Sequence, residues 1–531
     1  MTDPAAPTLT AGTATNPTTC LSTDGSIAFT TNLLNGNYTL NYTGSGSPKS
    51  INVASGAFTL TGLPAGAYSG FSVTTGGCTG IDNTSKTLTD PNCTSIIYVN
   101  AANTNPTQNG QSWATAFSSL QAGLSAAALP SVVSVEVWVA NGTYKPGTTR
   151  QSYFMIPSGV KVYGGFIGTE TQLTQRILTP PSGGQMGLAG GAILSGEIGT
   201  SASNDNVHHV VVFSGTNANT LLDGFTITRG HAQFVSTQAI DPTEIFHWGG
   251  GVSTQNKAEG HLTNCNITGN KATNGGGIYQ NDSCSVMVSN SAIWGNEGTF
   301  GGGIHQRGFT SSIYTNCLIV NNRGLGGGVN LNNSRVSFMN CVISNNNGLD
   351  GTPGAIWHVN GSAPVITNSI VWGNSNVQIN KGALVNYSIV QGGYLGVANL
   401  SSGPKFVNQN DWNAAPNGTM GDYRLLACSP ALNVGTSVGA PALDLLGNAR
   451  PQGGGVDMGA YEGSGVVLPN TLNISNNISS GSSSFTAGTI TATNQVSNAT
   501  VTYTAGQSVT LLPGFKAEGT VFTAQIGVGC N

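Results

Sequence analysis

The 531-residue sequence predicts an all-β protein: a parallel β-helix flanked by an N-terminal β-sandwich and a small C-terminal β domain. Three observations predict the middle. A heptad recurs five times, a glycine triplet recurs in step with it, and the Gly and Asn content of each unit is one no helix tolerates. The heptads are Asn264-Cys-Asn-Ile-Thr-Gly-Asn270, Asn290-Ser-Ala-Ile-Trp-Gly-Asn296, Asn316-Cys-Leu-Ile-Val-Asn-Asn322, Asn340-Cys-Val-Ile-Ser-Asn-Asn346 and Asn368-Ser-Ile-Val-Trp-Gly-Asn374. Their starts lie 26, 26, 24 and 28 residues apart. The triplets begin at Gly249, Gly275, Gly301 and Gly326, and a degenerate Pro353-Gly-Ala-Ile356 follows. A period in this range means stacked units, each burying its apolar face only against the next.

The heptad's second and fourth residues are small or aliphatic: Cys265/Ile267, Ser291/Ile293, Cys317/Ile319, Cys341/Ile343 and Ser369/Val371. Residues two apart share one face of a strand, so these pairs are expected to point into a common interior. The closing Asn270, Asn296, Asn322, Asn346 and Asn374 fall where the strand turns. Asn tolerates left-handed backbone, and stacked amides can hydrogen-bond from rung to rung. The triplets supply corners where a side chain would clash with a neighbouring coil. Two or three short strands plus turns account for a rung, with rungs roughly 4.8 Å apart. A helical solenoid is the rival, and its helices would not survive that much Gly and Asn.

Upstream, Leu222-Asp-Gly-Phe-Thr-Ile-Thr228 aligns Ile227 with Ile267, 40 residues later. The excess over one period is a loop, about His231 to Trp248. Earlier strand-like runs are Ile96–Val99, Val135–Val139, Val160–Tyr163 and His209–Phe213. Between the first two, Phe117, Leu120, Leu124 and Ala128 repeat with helical period, which predicts a short helix capping an otherwise open end.

Only 7% of the residues are charged, against about 25% in ordinary soluble proteins, while Gly makes up 76 of 531. The net charge of -4 offers no footprint for nucleic acid. No apolar run approaches the ~18 residues of a membrane span, and no signal peptide opens the chain. Met1-Thr-Asp-Pro therefore reads as the start of a mature or recombinant fragment, and an extracellular origin is inferred from the style of surface.

Nine cysteines leave at least one unpaired. Cys20 and Cys78 bracket the N-terminal unit and are the best disulfide candidates. Cys265, Cys317 and Cys341 hold equivalent core positions with parallel Cβ vectors or a two-rung separation, so buried free thiols are expected. Cys428 and Cys530 could bridge.

Three resemblances divide the chain. Residues 1–92 carry Cys20…Asp24-Gly-Ser-Ile…Phe58-Thr-Leu-Thr-Gly-Leu-Pro-Ala-Gly-Ala-Tyr-Ser…Gly77-Cys78, which resembles the repeat of Bacteroidota gliding-motility adhesins. Residues 93–463 carry Gly110-Gln-Ser-Trp-Ala-Thr-Ala-Phe117, Trp138-Val-Ala-Asn-Gly-Thr-Tyr-Lys-Pro146, Asp444-Leu-Leu-Gly-Asn-Ala-Arg450 and Val456-Asp-Met-Gly-Ala-Tyr-Glu462. They resemble surface proteins with a right-handed β-helix and a choice-of-anchor ending. In so uncharged a chain, Arg450 beside Asp457 and Glu462 is expected to be an ion-paired closing cap. Residues 464–531, a Ser/Asn-rich linker and short strands, resemble the three-coathanger stack of exported proteins that use type IX secretion. The sorting domain that would follow is expected to have been cleaved or omitted.

Glycoside hydrolases of this architecture need two carboxylates flanking the bond; lyases need a calcium-binding acidic cluster and a base. Such groups should recur at one phase of the period. Between Asn264 and Asn374 the repeats hold only Asp282, Glu297 and Asp350, at different phases, while Tyr279, His305, Asn330 and Trp357 follow the glycine corners. His305 and Arg307 lack an acidic partner in register. The densest cluster is the inserted loop with His231, Asp241, Glu244, His247 and Trp248, which could bind a cation or a sugar but has no metal-motif spacing and reads first as a flap. The outward heptad positions Ala292/Trp294, Leu318/Val320 and Ile370/Trp372 are unusually apolar, so a cover, a second copy, or sugars stacked on Trp294 and Trp372 are expected there. The reading is an extracellular, cell-surface structural or adhesive protein, with a self-assembling fibre as one form. It has no cofactor, and its partners are other copies of itself or surface glycans and proteins. A polysaccharide lyase or hydrolase is the alternative. Ice binding wants a flat Thr array, and the outward positions are too mixed for one.

Overall fold

The computed structural model describes residues 6–18, 22–89, 94–128, 134–178, 191–199, 205–233, 248–409, 420–463 and 471–526. Two compact units emerge, one ending near residue 95 and the other running onward.

In the first unit Leu9–Thr15, Gly25–Thr31 and Ala57–Leu63 form one antiparallel sheet. Lys49–Val53, Gly36–Thr43, Gly66–Thr75 and Cys78–Asp82 form a second, with Lys86–Leu88 beside it. Alternate residues of both sheets face inward, as sandwich packing requires. Phe29 of the first sheet stacks on Phe58 at 4.8 Å and meets Phe71 of the second edge-on at 4.9 Å.

The second unit is dominated by a parallel β-helix. Each regular rung has four strands, one more than the sequence reading allowed: Glu259–Thr263, Asn266–Thr268, Lys271–Asn274 and Ile278–Gln280 make one. Stacking the rungs gives parallel sheets of 10, 9, 5 and 7 described strands, in the order in which the chain visits them. The core is the inward residue of each strand: Cys265, Ile267, Ile278, Val286, Val288, Ile293, Ile304 and their equivalents are fully buried. The expected cap is a helix at Leu120–Ala127, whose Leu120, Leu124 and Ala127 join Val99 and Val137 in that core.

The closing asparagines form an internal ladder. Asn270 Nδ2 donates to Asn296 Oδ1 at 3.1 Å, Asn296 to Asn322 at 3.1 Å, Asn322 to Asn346 at 3.0 Å and Asn346 to Asn374 at 2.9 Å. Each acceptor also takes the backbone N–H of the preceding rung's asparagine, so the buried amides satisfy one another. The left-handed residues lie elsewhere than expected. They are the first heptad position (Asn264, Asn290, Asn316, Asn340, Asn368; φ 47–52°) and the sixth (Gly269, Gly295, Asn321, Asn345, Gly373). The seventh keeps an extended backbone because its amide must point inward along the ladder.

The triplet corners are crowded by backbone: a Cβ on Gly302 would lie 2.3 Å from the Arg323 carbonyl oxygen. A side chain there would push the rungs apart.

After the last rung the chain turns back over the outward side of the second sheet. Phe406, Met420, Tyr423, Ala431, Leu445, Met458, Ala460 and Tyr461 pack on Ala292, Trp294, Leu318, Val320, Val342 and Ile370 as a second core. The apolar outward heptad positions are therefore covered by the chain's own return strap. Asparagines of the first heptad position clamp it: Asn316 Nδ2 donates to Leu443 O at 2.8 Å, Asn340 to Asp457 O at 3.0 Å and Asn368 to Thr436 O at 2.7 Å. Arg450 is the central bolt. Its Nη1 donates to Glu462 Oε2 at 3.0 Å and to Asp457 O at 3.2 Å, with both side chains of the ion pair almost solvent-free. Asp457 does not complete a second ion pair; its carboxylate takes the backbone N–H groups of Asn433 and Gly463.

Residues 471–526 make stacked coils of their own. Gly481–Ala492 pairs in parallel with Thr471–Ile474 and Ala499–Leu511, which in turn pairs with Val521–Ile526. Ser483 faces Val501 and Thr500 faces Val521, steps of 18 and 21 residues, around a core centred on Tyr503 and Ile490.

Candidate functional site

Of the six residues singled out from the sequence, Trp248, Trp294 and Trp372 are described. Trp294 is only 5% exposed under the strap, and its indole N–H donates to Asn266 Oδ1 at 2.7 Å. Trp372 packs against the same second core. Trp294 has no free face for a sugar, which corrects the stacking expectation at that residue, while Trp372 is only half-buried against the same packing surface. Asp241, Glu244 and His247 lie outside the described residues. Trp248 is described, and it does join a groove.

That groove runs along the outward side of the fourth sheet. Its floor is two columns in register, Tyr279–His305–Asn330–Trp357 and Arg307–Asn332–Val359. The wall is the column that ends the short corner strands, Trp248–Asn274–Phe300–Leu325. Trp248 tilts over Tyr279 at 5.3 Å between ring centroids, and Tyr279 meets His305 edge-on at 5.6 Å. Asn274, Phe300, His305, Arg307, Asn330, Asn332, Trp357 and Val359 enclose a cavity of about 180 Å³. The glycine corners make this closeness possible. Gly326, at φ +69°, sits where a Cβ would lie 2.9 Å from Trp357 Cβ.

The chemistry of the lining is unusual. His305 is 5% exposed, and among the described residues neither ring nitrogen has a hydrogen-bond partner of normal geometry. An unsatisfied buried polar group costs roughly 1–3 kcal/mol, so this cavity keeps polar atoms unpaired at a real cost. Burial, reinforced by the Arg307 charge, pushes the His305 pKa down to about 3, leaving the imidazole neutral with one donor and one acceptor. Arg307 is exposed and is the one charged residue among the described lining residues. Asn330 Nδ2 is tied to Leu325 O at 3.0 Å, which fixes that amide against the wall.

The acidic residues of the repeats go elsewhere. Glu297 bridges Lys271 at 3.2 Å and Arg323 at 3.1 Å on neighbouring rungs of the corner sheet. Asp282 and Asp350 occupy left-handed turns. A larger cavity of about 330 Å³ lies at the strap, lined by Arg424, Leu446, Tyr461 and Glu462 among others; Arg424 is committed there to Asp422. Among the described residues no His, Cys, Asp and Glu gather in a group that could hold a metal ion.

Residues 209–391 match the family described as "Right handed beta helix region". The helix is right-handed. No curated protein matches the chain. Among the described residues no helix is long and apolar enough to cross a membrane.

Proposed function

We propose that the chain is an extracellular, cell-surface structural or adhesive protein that works without turnover. The β-helix is its stiff stalk and the groove on the fourth sheet its point of contact. The observation that carries this reading is the groove's composition: aromatic walls, amides and one cation, with no carboxylate among its described lining residues. Hydrolysis needs a pair of carboxylates, and proton abstraction needs a base that titrates near working pH. His305, held neutral to about pH 3, is a poor proton acceptor. The laddered asparagines and the bolted strap support the stalk role, since both resist local opening.

The finer identity belongs to the same proposal. The N-terminal sandwich is read as a gliding-motility adhesin repeat, and the stacked coils of 471–526 as a three-coathanger domain of a Bacteroidota protein exported by type IX secretion. Partners are surface glycans, surface proteins or further copies of the chain.

The test is incubation of the full chain with pectin, alginate and neutral plant polysaccharides, following reducing ends and the absorbance of unsaturated products. No product is expected, while the immobilised protein retains cells or glycans. Product release would overturn the reading in favour of a β-helix lyase or hydrolase. Electron microscopy of the native material separates a fibre subunit from a monomeric stalk.

A further inference from the structure

We infer that the groove binds one ring of an acidic polysaccharide, held between Phe300 and Trp357 with its carboxylate on Arg307 and a hydroxyl on His305. The inference deepens the adhesive reading of the same groove and rests on it.

Size comes first. At about 180 Å³ the cavity is smaller than the ~300–1,000 Å³ that encloses a drug-sized molecule, so it takes a single ring of a longer chain. Successive rungs lie about 4.8 Å apart along the floor column, which sets the spacing that a longer chain would follow. Shape comes second. Phe300 enters from the corner strands and Trp357 from the floor, two aromatic surfaces contributed by different sheets. Aromatic faces pack well against the C–H faces of a pyranose, which are apolar while the ring's edges are not.

Charge and hydrogen bonding then narrow the class. Arg307 is a cation with no acidic partner among the described lining residues, and its planar fork matches a carboxylate. His305 is the buried side chain whose two ring nitrogens lack, among the described residues, a partner of normal geometry. A neutral imidazole donates once and accepts once, which is what a sugar hydroxyl needs and what a purely apolar or purely anionic ligand lacks. Asn274 and Asn332 add amides of the same dual character on either side. A neutral glycan would leave Arg307 unmatched, and a simple anion would leave the aromatic walls without a purpose.

The experiment uses the full chain and calorimetric titration with polygalacturonate oligosaccharides, alginate oligosaccharides and the carboxyl-reduced form of the former. Carboxyl reduction keeps the ring and removes the charge. Binding of a uronate oligosaccharide is expected to be at least tenfold tighter than binding of the reduced form. Arg307→Gln, at an exposed position, should erase that difference, and Phe300→Ala should weaken both ligands at least tenfold, with thermal melts checking that each variant folds. Equal affinity for acidic and reduced forms, an unaffected Arg307→Gln variant, or no binding to any of them would overturn the inference. Its failure is distinguishable from that of the adhesive reading. Cleavage of a polymer whose binding still depends on Arg307 sinks the non-catalytic reading alone; cell attachment with no uronate binding sinks this inference alone.

Discussion

Arg450 Nη2 donates to Asn316 Oδ1 at 3.3 Å, joining the middle of the return strap to a left-handed turn 134 residues earlier in the chain. The same asparagine donates to Leu443 O, so one amide holds the strap at two points. The first heptad position is thus asparagine for two reasons that coincide. It adopts positive φ at little cost, and it presents a donor and an acceptor to whatever covers the sheet.

Removing the carboxylate from this clamp should be costly. Glu462→Ala leaves Arg450 buried without its counter-charge, and breaking a buried pair from one side costs about 3–5 kcal/mol. Burial already pushes the Glu462 carboxyl above its ordinary pKa, with Arg450 opposing, which shows how dry the site is. Denaturant unfolding of Glu462→Ala should show that loss, and limited proteolysis should cut the strap before the β-helix. A loss below about 1 kcal/mol would mean that water replaces the carboxylate.

The internal ladder makes a sharper prediction. Asn322 Oδ1 accepts both the backbone N–H and the side-chain amide of Asn296. Asn322→Ala strands the Asn296 backbone N–H in the core, at roughly 1–3 kcal/mol if nothing relaxes, while the Asn296 amide keeps the Ile267 and Trp294 carbonyls. Asn322→Asp keeps the acceptor but removes the donor to Asn346 and Ile293 O and buries a carboxyl. Both variants should unfold at lower denaturant concentration than wild type, and Asn264→Ala, which puts alanine at φ +52° and drops the bond to Asp223 Oδ1, should cost about 1–2 kcal/mol without stranding a donor in the core.

How much of this was readable depends on which contacts repeat. The coil, its inward pairs Cys265/Ile267 to Ser369/Val371, and the cap at Leu120–Ala127 were legible because each is local or periodic. The strap was half legible. The sequence marks Trp294 and Leu318 as apolar and outward, yet nothing in the period says that residues 406–461 return to cover them. Such a contact spans a hundred residues and has no repeat of its own. The groove floor was visible as the column Tyr279, His305, Asn330 and Trp357. Its wall was missed, although a signal existed: Trp248, Asn274, Phe300 and Leu325 each immediately precede a glycine triplet. The seventh-position asparagines were placed at a turn correctly, but their backbone was misjudged, because sequence shows a residue's tolerance for left-handed φ and not whether its amide is needed elsewhere.

The core thiols should be inert in the native protein. Cys265, Cys284, Cys317 and Cys341 are buried and free, and burial pushes the Cys265 thiol up to about 12. The thiolate is the reactive form, so native protein at pH 8 should leave these four unlabelled by a thiol reagent and denatured protein should expose them. Cys428 is disulfide-bonded, to a partner outside the described residues, and Cys20 lies outside them too, so the Cys20–Cys78 pairing rests on the sequence. Cys317→Ser should cost little, because Ser291 and Ser369 fill the equivalent position on neighbouring rungs and donate to a backbone carbonyl two residues back.

His305 gives the protein a pH dependence whose sign can be worked out. In the folded chain its pKa is held near 3 by burial and by Arg307, whereas unfolded it returns to about 6.5. Between those values the unfolded state binds the extra proton, so stability rises with pH across the window. The contribution is intact above about pH 6.5 and falls away as the pH drops toward 3. At roughly 1.4 kcal/mol per pKa unit, the loss over the window is several kcal/mol. Carboxylates also titrate there, so the measurement is a difference: unfolding free energies of wild type and His305→Phe compared from pH 7 to pH 4. Phenylalanine fills the same space without the two ring nitrogens, so the variant should equal or exceed wild type at pH 7 and outlast it increasingly below pH 6. Two curves that stay parallel through that range would mean that the imidazole finds a proton acceptor in the folded groove.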